Sequence, residues 1–456
     1  MLTCISPIDG SVYVSRDPQD LDEALAAVSA ARAAQPGWAA RDLAERVAIV
    51  NAGVAALCAN GALVDELAHQ MGRPVRYGGE MGGVKERADH MAAIAAETLA
   101  PTEVERSNAA RRLIKRTPLG VVLAIAPWNY PYLTAINTIV PALIAGNALV
   151  LKHATQTILA GERLREAFLA GGVPEALFVN LQVTHDTIDG LIRAKAFDFI
   201  NFTGSVAAGR TIERSAAGTF AGVSLELGGK DPGYVRADAD LDRAVDGLID
   251  GAMFNTGQCC CGIERIYVAE PLFEAFVDKA RAIVEGYVLG NPLHQATTLG
   301  PMAHKRLADV VRDQVIQAVT AGAEPLIDPA LFPADDGTTA YLAPQILVNV
   351  DHDMALMREE NFGPVVGIMK VSSDDEAVAL MNDSAYGLTA SIWTGDTDAA
   401  EAIGDRLETG TVFMNRCDYL DPALCWTGCK DTGRGASLST LGYHSLTRPK
   451  SFHLKT

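Results

Sequence analysis

TPLGVVLAIAPWNYPYLTAINTIVPALIAGNALVL, residues 117–151, contains no charged residue. The run is longer than the stretch needed to cross a bilayer. However, Pro127, Pro131 and Pro141 interrupt it, and Trp128-Asn129 falls near its centre. Prolines at that spacing break a spanning helix and suit a strand–loop–helix–strand unit instead. VVLAIAP (121–127) is a continuous apolar run of the kind buried on both faces of a parallel sheet. Thr134–Ala145 is expected to be helical, and ALVLK (148–152) to be the next strand. The stretch is therefore expected to be the buried heart of an α/β domain.

Outward from this unit the alternation continues. A helix is expected over 157–170, a strand at FVNLQV (178–183), a helix over 186–195 and a strand at FDFINFTGS (197–205). Such βαβα order implies a mostly parallel, doubly wound sheet. Before it, residues 20–60 and 62–98 are rich in Ala and Leu with charges at helical spacing. A second alternation follows Glu226, with a helix over 240–254, a strand at RIYVA (265–269), and helices over 271–286 and about 304–321. RRLIKR (111–116) and the tail ending in SFHLK (451–455) alternate as exposed edge strands do, and such strands need a partner. The expected fold class is α/β with two doubly wound domains. One takes residues 1–99 and 119–226, the second takes 227–430, and 100–118 with 431–456 are left for assembly.

Composition narrows the function. The 456 residues carry 38 basic and 56 acidic side chains, a net charge of −18. A surface of that sign repels phosphate backbones and anionic lipid, so neither nucleic acid nor a membrane is an expected partner. Eight cysteines include no CxxC pair, so no metal site is expected. MLTCISPIDGSVYVSRD at the N-terminus lacks a basic segment followed by an apolar one, and a reducing cytoplasm is the expected location.

Five local features bear on chemistry. FNTGQCCCGIER (254–265) sets three adjacent cysteines after Gly-Gln. A thiol facing backbone N–H groups at a turn is a nucleophile, and three buried inert thiols fit the same letters. SLELGGKDP (224–232) sets Glu226 in an apolar run, either desolvated as a base near neutral pH or capped and structural. PWNYP (127–131) ends a buried strand, where ligands of open α/β sheets bind. Asn129 there is an amide donor or a turn asparagine. FTGSVAAGR (202–210) turns from strand to helix and offers N–H groups to a pyrophosphate, without the GxGxxG spacing. EENFGPVV (359–366) alone is a loop entering a strand.

Taken in order, PWN, the KxxxQT that begins at Lys152, FTGS, ELGGK, GQxC and ExFGPV resemble the aldehyde dehydrogenase superfamily, over nearly the whole chain. The resemblance implies the hydrolytic, NAD(P)-dependent type, which does not acylate CoA. It puts the nucleophile at the middle cysteine, Cys260, which would form a thiohemiacetal and then a thioester. Asn129 and the Cys260 N–H would hold the oxyanion, and Glu226 would activate water. For NAD or NADP it implies Lys152 and Thr155 near the adenosine ribose, Gly204 and Ser205 near the pyrophosphate, Glu360 on the nicotinamide ribose, Phe362 beside the ring, and Trp128 in the cleft. Thr155 departs from the glutamate common in NAD-preferring members, which leaves NADP open. Tyr130, Leu133, Thr134, Asn137, Phe254 and Trp426 would line the substrate tunnel.

A medium-sized aliphatic or aromatic aldehyde is the expected substrate, with a semialdehyde or amino-aldehyde as the alternative. Familiar bacterial succinate-semialdehyde enzymes carry Arg at the position of Asn137, although Arg416 lies in the late loop 415–435. Asp418 and Asp421 of that loop either attract an amino-aldehyde or belong to a solvated acidic loop on an acidic protein, and surface charge of this kind is usually just surface. A CoA-acylating dehydrogenase, a thiol esterase and a binding protein on an inactive scaffold are the rivals: Glu226 speaks against the first, Lys152 and Glu360 against the second, and Cys260, Glu226 and Asn129 against the third. The resemblance also implies a homodimer or homotetramer.

Overall fold

The structure, a computed structural model, describes residues 1–455. Two large sheets organise it. The first has six strands in the order Gly433–Arg434, Gly222–Glu226, Phe199–Thr203, Val121–Ala126, Ala148–His153 and Phe178–Asn180. All neighbours are parallel except the first pair. Strand order reverses between Val121–Ala126 and Phe199–Thr203, so the crevice where such sheets bind ligands lies at the carboxyl ends of those two strands. Trp128-Asn129 and Gly204-Ser205 follow those ends.

The charge-free run behaves as its prolines dictate. Val121–Ala126 is buried at every position, and the helix Pro131–Ile144 starts with Pro131 in its first turn. That helix has no side-chain cap of its own. Glu80, from the loop before the helix Met81–Thr98, supplies one: its Oε2 accepts the N–H groups of Tyr132 at 3.0 Å and Leu133 at 2.7 Å. Among the described residues no single helix is long and apolar enough to cross a membrane.

The second sheet has seven strands in the order Glu324–Pro325, Gln345–Val348, Val365–Val371, Ile263–Ala269, Asp231–Val235, Thr389–Trp393 and Thr411–Met414. Only the first pair is antiparallel. The chain passes from Glu226, at the carboxyl end of its strand, through Leu227–Lys230 into Asp231–Val235. The carboxyl edge of the first sheet therefore meets the amino edge of the second. The loops entering Ile263–Ala269 and Val365–Val371, which hold Cys260 and Glu360, open onto that seam.

Three expectations change. The helical stretch 20–60 is two helices, Leu21–Ala39 and Leu43–Cys58, and 62–98 contains Leu63–Met71 and Met81–Thr98. RRLIKR is not an edge strand: Ala110–Pro118 is the centre of a three-stranded antiparallel sheet, paired with Thr102–Arg106 and, along its full length, with Thr447–Lys455. The outer two strands keep the open edges. Finally, 431–456 is not all assembly strand. Gly433–Arg434 extends the first sheet, and the helix Ser439–Ser445 packs on the same domain, with Tyr443 Oη donating to Met91 O at 2.7 Å.

Candidate active site

The turn before the three cysteines has an unusual backbone. Asn255, Thr256 and Gly257 all have positive φ, at 55°, 57° and 70°. Only glycine fits at 257, because a Cβ there would lie 2.1 Å from the Gly363 carbonyl oxygen. Gln258 locks the turn: its Oε1 accepts from Ala303 N at 2.7 Å and its Nε2 donates to Asn255 O at 3.0 Å.

The three Sγ atoms lie within 4.8 Å of one another. Cys259 and Cys261 are buried, 8% and 3% exposed, and their sulfurs stand 3.5 Å apart. Cys260 is half-buried, and all three cysteines line a cavity of about 160 Å³. Hydrogen bonding to Cys259, with burial acting in the same direction, raises the Cys260 thiol against the lowering pull of Cys261, while the same contacts lower the Cys259 thiol.

Glu226 is on the wall of the same cavity. Its Oε2 accepts from Thr203 Oγ1 at 3.3 Å, while Oε1 is shielded from solvent and has no hydrogen-bond partner among the described residues. Burial pushes its carboxyl above the usual range, against the lowering pull of Ser437, Thr203 and Arg87. Tyr130, Leu133, Thr134, Asn137, Phe254 and Trp426 line the cavity too, so every residue expected in the tunnel faces it. Asp418 joins them, its carboxyl pushed up to about 7, first by burial. Asp421 instead caps the Ala423 N–H at the surface, and Arg416 is exposed and stacked over the Tyr419 ring at 3.8 Å.

Asn129 is 4% exposed and lies behind the cysteine turn, its Nδ2 donating to Gln258 O at 3.3 Å. What fixes it was not foreseen. Arg73 donates to the Asn129 carbonyl oxygen at 2.6 Å, to Asn255 Oδ1 at 3.1 Å and to Glu80 Oε1 at 2.7 Å, in an ion pair 4% and 2% exposed. The same Glu80 caps the helix that follows Asn129.

At the seam, Trp128 meets Phe362 edge-on at 5.5 Å and His304 at 5.7 Å. Glu360 Oε1 accepts from Gly229 N at 3.2 Å, and burial holds its carboxyl up to about 8. A second unforeseen network sets this segment. Lys230 Nζ donates to Glu264 Oε2 and Asn361 Oδ1, both at 2.7 Å, and Glu264 accepts the N–H groups of Asn361 and Phe362 at 2.8 and 2.9 Å. Lys152 is 6% exposed and makes no ion pair among the described residues, and burial lowers its pKa to about 8. Thr155 lies beside it in the turn Thr155–Thr157. Ser205 caps the helix Val206–Ala216 through Ala208 N, with Gly204 just before it.

Comparison with known proteins decides the family. The model of the "Aldehyde dehydrogenase family" matches residues 1–452. The chain belongs to the aldehyde dehydrogenase family. It is thus an oxidoreductase acting on aldehydes. A 2-hydroxymuconic semialdehyde dehydrogenase of Pseudomonas putida is 33% identical over 459 residues, covering 97% of this chain and 93% of that one. A succinate-semialdehyde dehydrogenase [NADP(+)] of Mycolicibacterium paratuberculosis is 34% identical over 357 residues, 77% of this chain and 74% of its own. The crystal structure of succinic semialdehyde dehydrogenase from Streptococcus pyogenes with NADP+ superimposes with a TM-score of 0.93 at 28% identity, covering 100% of both chains.

Proposed function

We propose that this aldehyde dehydrogenase oxidises an aldehyde to its carboxylic acid with NAD or NADP, through a covalent intermediate on Cys260. One observation carries the assignment. All three adjacent thiols line the cavity, but Cys260 alone is half-buried while Cys259 and Cys261 are buried, and the same wall holds Glu226, a carboxylate with one oxygen unpartnered among the described residues.

The Cys260 thiol gives up its proton to solvent, and the thiolate adds to the aldehyde carbon. The oxyanion of the thiohemiacetal is stabilised by the Asn129 side chain and the Cys260 backbone N–H. Bound NAD(P) supplies the hydride acceptor. The thioester left on Cys260 is hydrolysed by water that Glu226 deprotonates, and its raised pKa matches a base working near neutral pH. The presence of that base favours hydrolysis over acyl transfer to CoA.

The cofactor residues fit the group. Lys152 is a buried ammonium without a counter-ion, as a site for ribose hydroxyls or a 2′-phosphate requires. Thr155 presents no carboxylate to repel a 2′-phosphate, which favours use of NADP alongside NAD. Glu360 and Phe362 would hold the nicotinamide ribose and ring, Gly204 and Ser205 the pyrophosphate, and Trp128 the cleft wall. Relatives that act on succinate semialdehyde and 2-hydroxymuconic semialdehyde support a semialdehyde ahead of the plain aliphatic or aromatic aldehyde that the tunnel letters suggest. The open edges of Thr102–Arg106 and Thr447–Lys455 are the proposed contacts of a homo-oligomer.

The test is absorbance of reduced cofactor with NAD and NADP in parallel, without CoA, across plain, aromatic, amino and carboxy aldehydes. Turnover that disappears in Cys260→Ala supports the proposal. Turnover that needs CoA, or that survives in Cys260→Ala, contradicts it.

A further inference from the structure

Beyond the motif residues, one buried cation in the cavity wall lacks a counter-ion. Arg87, on the helix Met81–Thr98, lines the Cys260 cavity and is 8% exposed. Its Nη1 donates to Leu133 O at 3.0 Å and to Asn137 Oδ1 at 3.2 Å, both neutral acceptors. Among the described residues it makes no ion pair. The carboxylate that acts on it most strongly, Glu80, is already paired with Arg73 and with two backbone N–H groups. A guanidinium stays charged even when burial lowers its pKa. Taking such a charge out of water is costly unless something pairs with it. Its rigid fork of N–H donors matches a carboxylate.

We propose that Arg87 is the specificity-determining residue of the tunnel, pairing with a carboxylate at the far end of the aldehyde substrate while Cys260 receives the aldehyde carbon. This rests on the assignment of the Cys260 cavity as the aldehyde site and deepens it, placing the selecting cation on a different helix from Asn137. Asn137 holds one Nη, so the remaining N–H groups keep a fixed direction. The other ionisable groups of the wall do not oppose an incoming anion strongly. Glu226 acts on Arg87 through space without an ion pair, and burial raises the carboxyls of both Glu226 and Asp418, the latter to about 7, which weakens the negative charge facing an incoming anion. An aldehyde bearing an ammonium would instead meet Arg87 in the same enclosed space.

The experiment compares kcat/KM for an ω-oxo acid, the uncharged alkanal of equal length and an ω-ammonium aldehyde, in the wild type, Arg87→Met and Arg87→Lys. In parallel, glutarate is tested for a thermal shift of each protein without cofactor. The wild type is expected to prefer the ω-oxo acid. A hydrogen-bonded charge pair corresponds to roughly 10- to 100-fold in affinity. Arg87→Met should therefore cut the preference for the ω-oxo acid over the alkanal by about that factor, chiefly through KM, and should lose the glutarate shift. Arg87→Lys should recover part of both. A wild type that prefers the alkanal or the ammonium aldehyde overturns the proposal, as does equal loss on both substrates in Arg87→Met. If Arg87→Met does not fold, the wild-type preference and the partial retention in Arg87→Lys decide. A wild type that oxidises no aldehyde sinks the Cys260 assignment instead, and the glutarate arm still decides Arg87: equal shifts in wild type and variants overturn it.

Discussion

Replacing Asn129 by Ala separates catalysis from folding at this site, because the hydrogen-bond network around it is redundant. The side chain makes one bond to the turn, from Nδ2 to Gln258 O at 3.3 Å. Asn255 Nδ2 donates to that same oxygen at 3.2 Å, so Asn129→Ala leaves no buried carbonyl without a donor. The backbone carbonyl of Asn129, held by Arg73 and Asn255, is untouched. The folding cost is therefore expected near the ordinary value for a substitution, about 1 kcal/mol. Loss of an oxyanion donor costs about 2.7–4 kcal/mol in the transition state. At about 1.36 kcal/mol per tenfold, kcat should fall roughly 10²- to 10³-fold. Stopped-flow formation of reduced cofactor measures the rate, and urea unfolding measures the stability. A kcat within a few-fold of wild type refutes the oxyanion role. A stability loss above about 3 kcal/mol refutes the claimed redundancy.

Glu226→Gln should slow deacylation more than hydride transfer, giving a burst of reduced cofactor and then a slow steady state; equal loss of both phases contradicts its role as the water-activating base. Because burial raises the Glu226 pKa and the base form is required, the wild-type steady-state rate should climb with pH through a midpoint above the ordinary carboxylate value, and a pH–rate profile of Glu226→Gln should lack that limb. Burial also holds His153 neutral with its pKa lowered to about 4 from 6.5. Its contribution is complete above pH 6.5 and is lost as pH falls towards 4, because the unfolded chain then binds the proton first. The loss is at most about 3 kcal/mol, at about 1.36 kcal/mol per unit. Urea unfolding of His153→Gln at pH 7 and pH 4.5 should show a smaller acid loss than wild type, and parallel losses contradict this. Arg73→Met leaves the buried Glu80 carboxylate without its cation and should cost about 3–5 kcal/mol in chemical denaturation; a cost under 1 kcal/mol contradicts a structural role for the pair.

The fold and much of the site were legible because parallel strands are written as short apolar runs and their ends carry the working loops. VVLAIAP led to Asn129, FINFTGS to Ser205, and SLELGG to Glu226 for that reason. The six expected tunnel residues all reached one cavity, since four lie at or just after the start of one helix, Pro131–Ile144. Arg73, Glu80 and Arg87 were not legible. Arg87 sits among the charges of the helix Met81–Thr98, which packs on Pro131–Ile144, while Arg73 and Glu80 lie in the segment before that helix and are buried against Asn129, Asn255 and the start of Pro131–Ile144. Lys230 and Glu264 were in quoted motifs, but 34 positions separate them, and their pairing depends on two adjacent parallel strands, Asp231–Val235 and Ile263–Ala269. The assembly strands were misjudged for a related reason: the partner of RRLIKR is this chain's own tail, more than 300 residues away, which local alternation cannot reveal.

The covalent intermediate is the centre of the account, and it can be weighed directly. Glu226→Gln is mixed with cofactor and an aldehyde that the wild type oxidises, quenched in acid within the burst, digested and read by mass spectrometry. Near-stoichiometric acylation of Cys260 is expected, matching the reduced cofactor formed, with Cys259 and Cys261 unmodified. Reduced cofactor without an acylated cysteine, or an acyl group on Cys259 or Cys261, would contradict it.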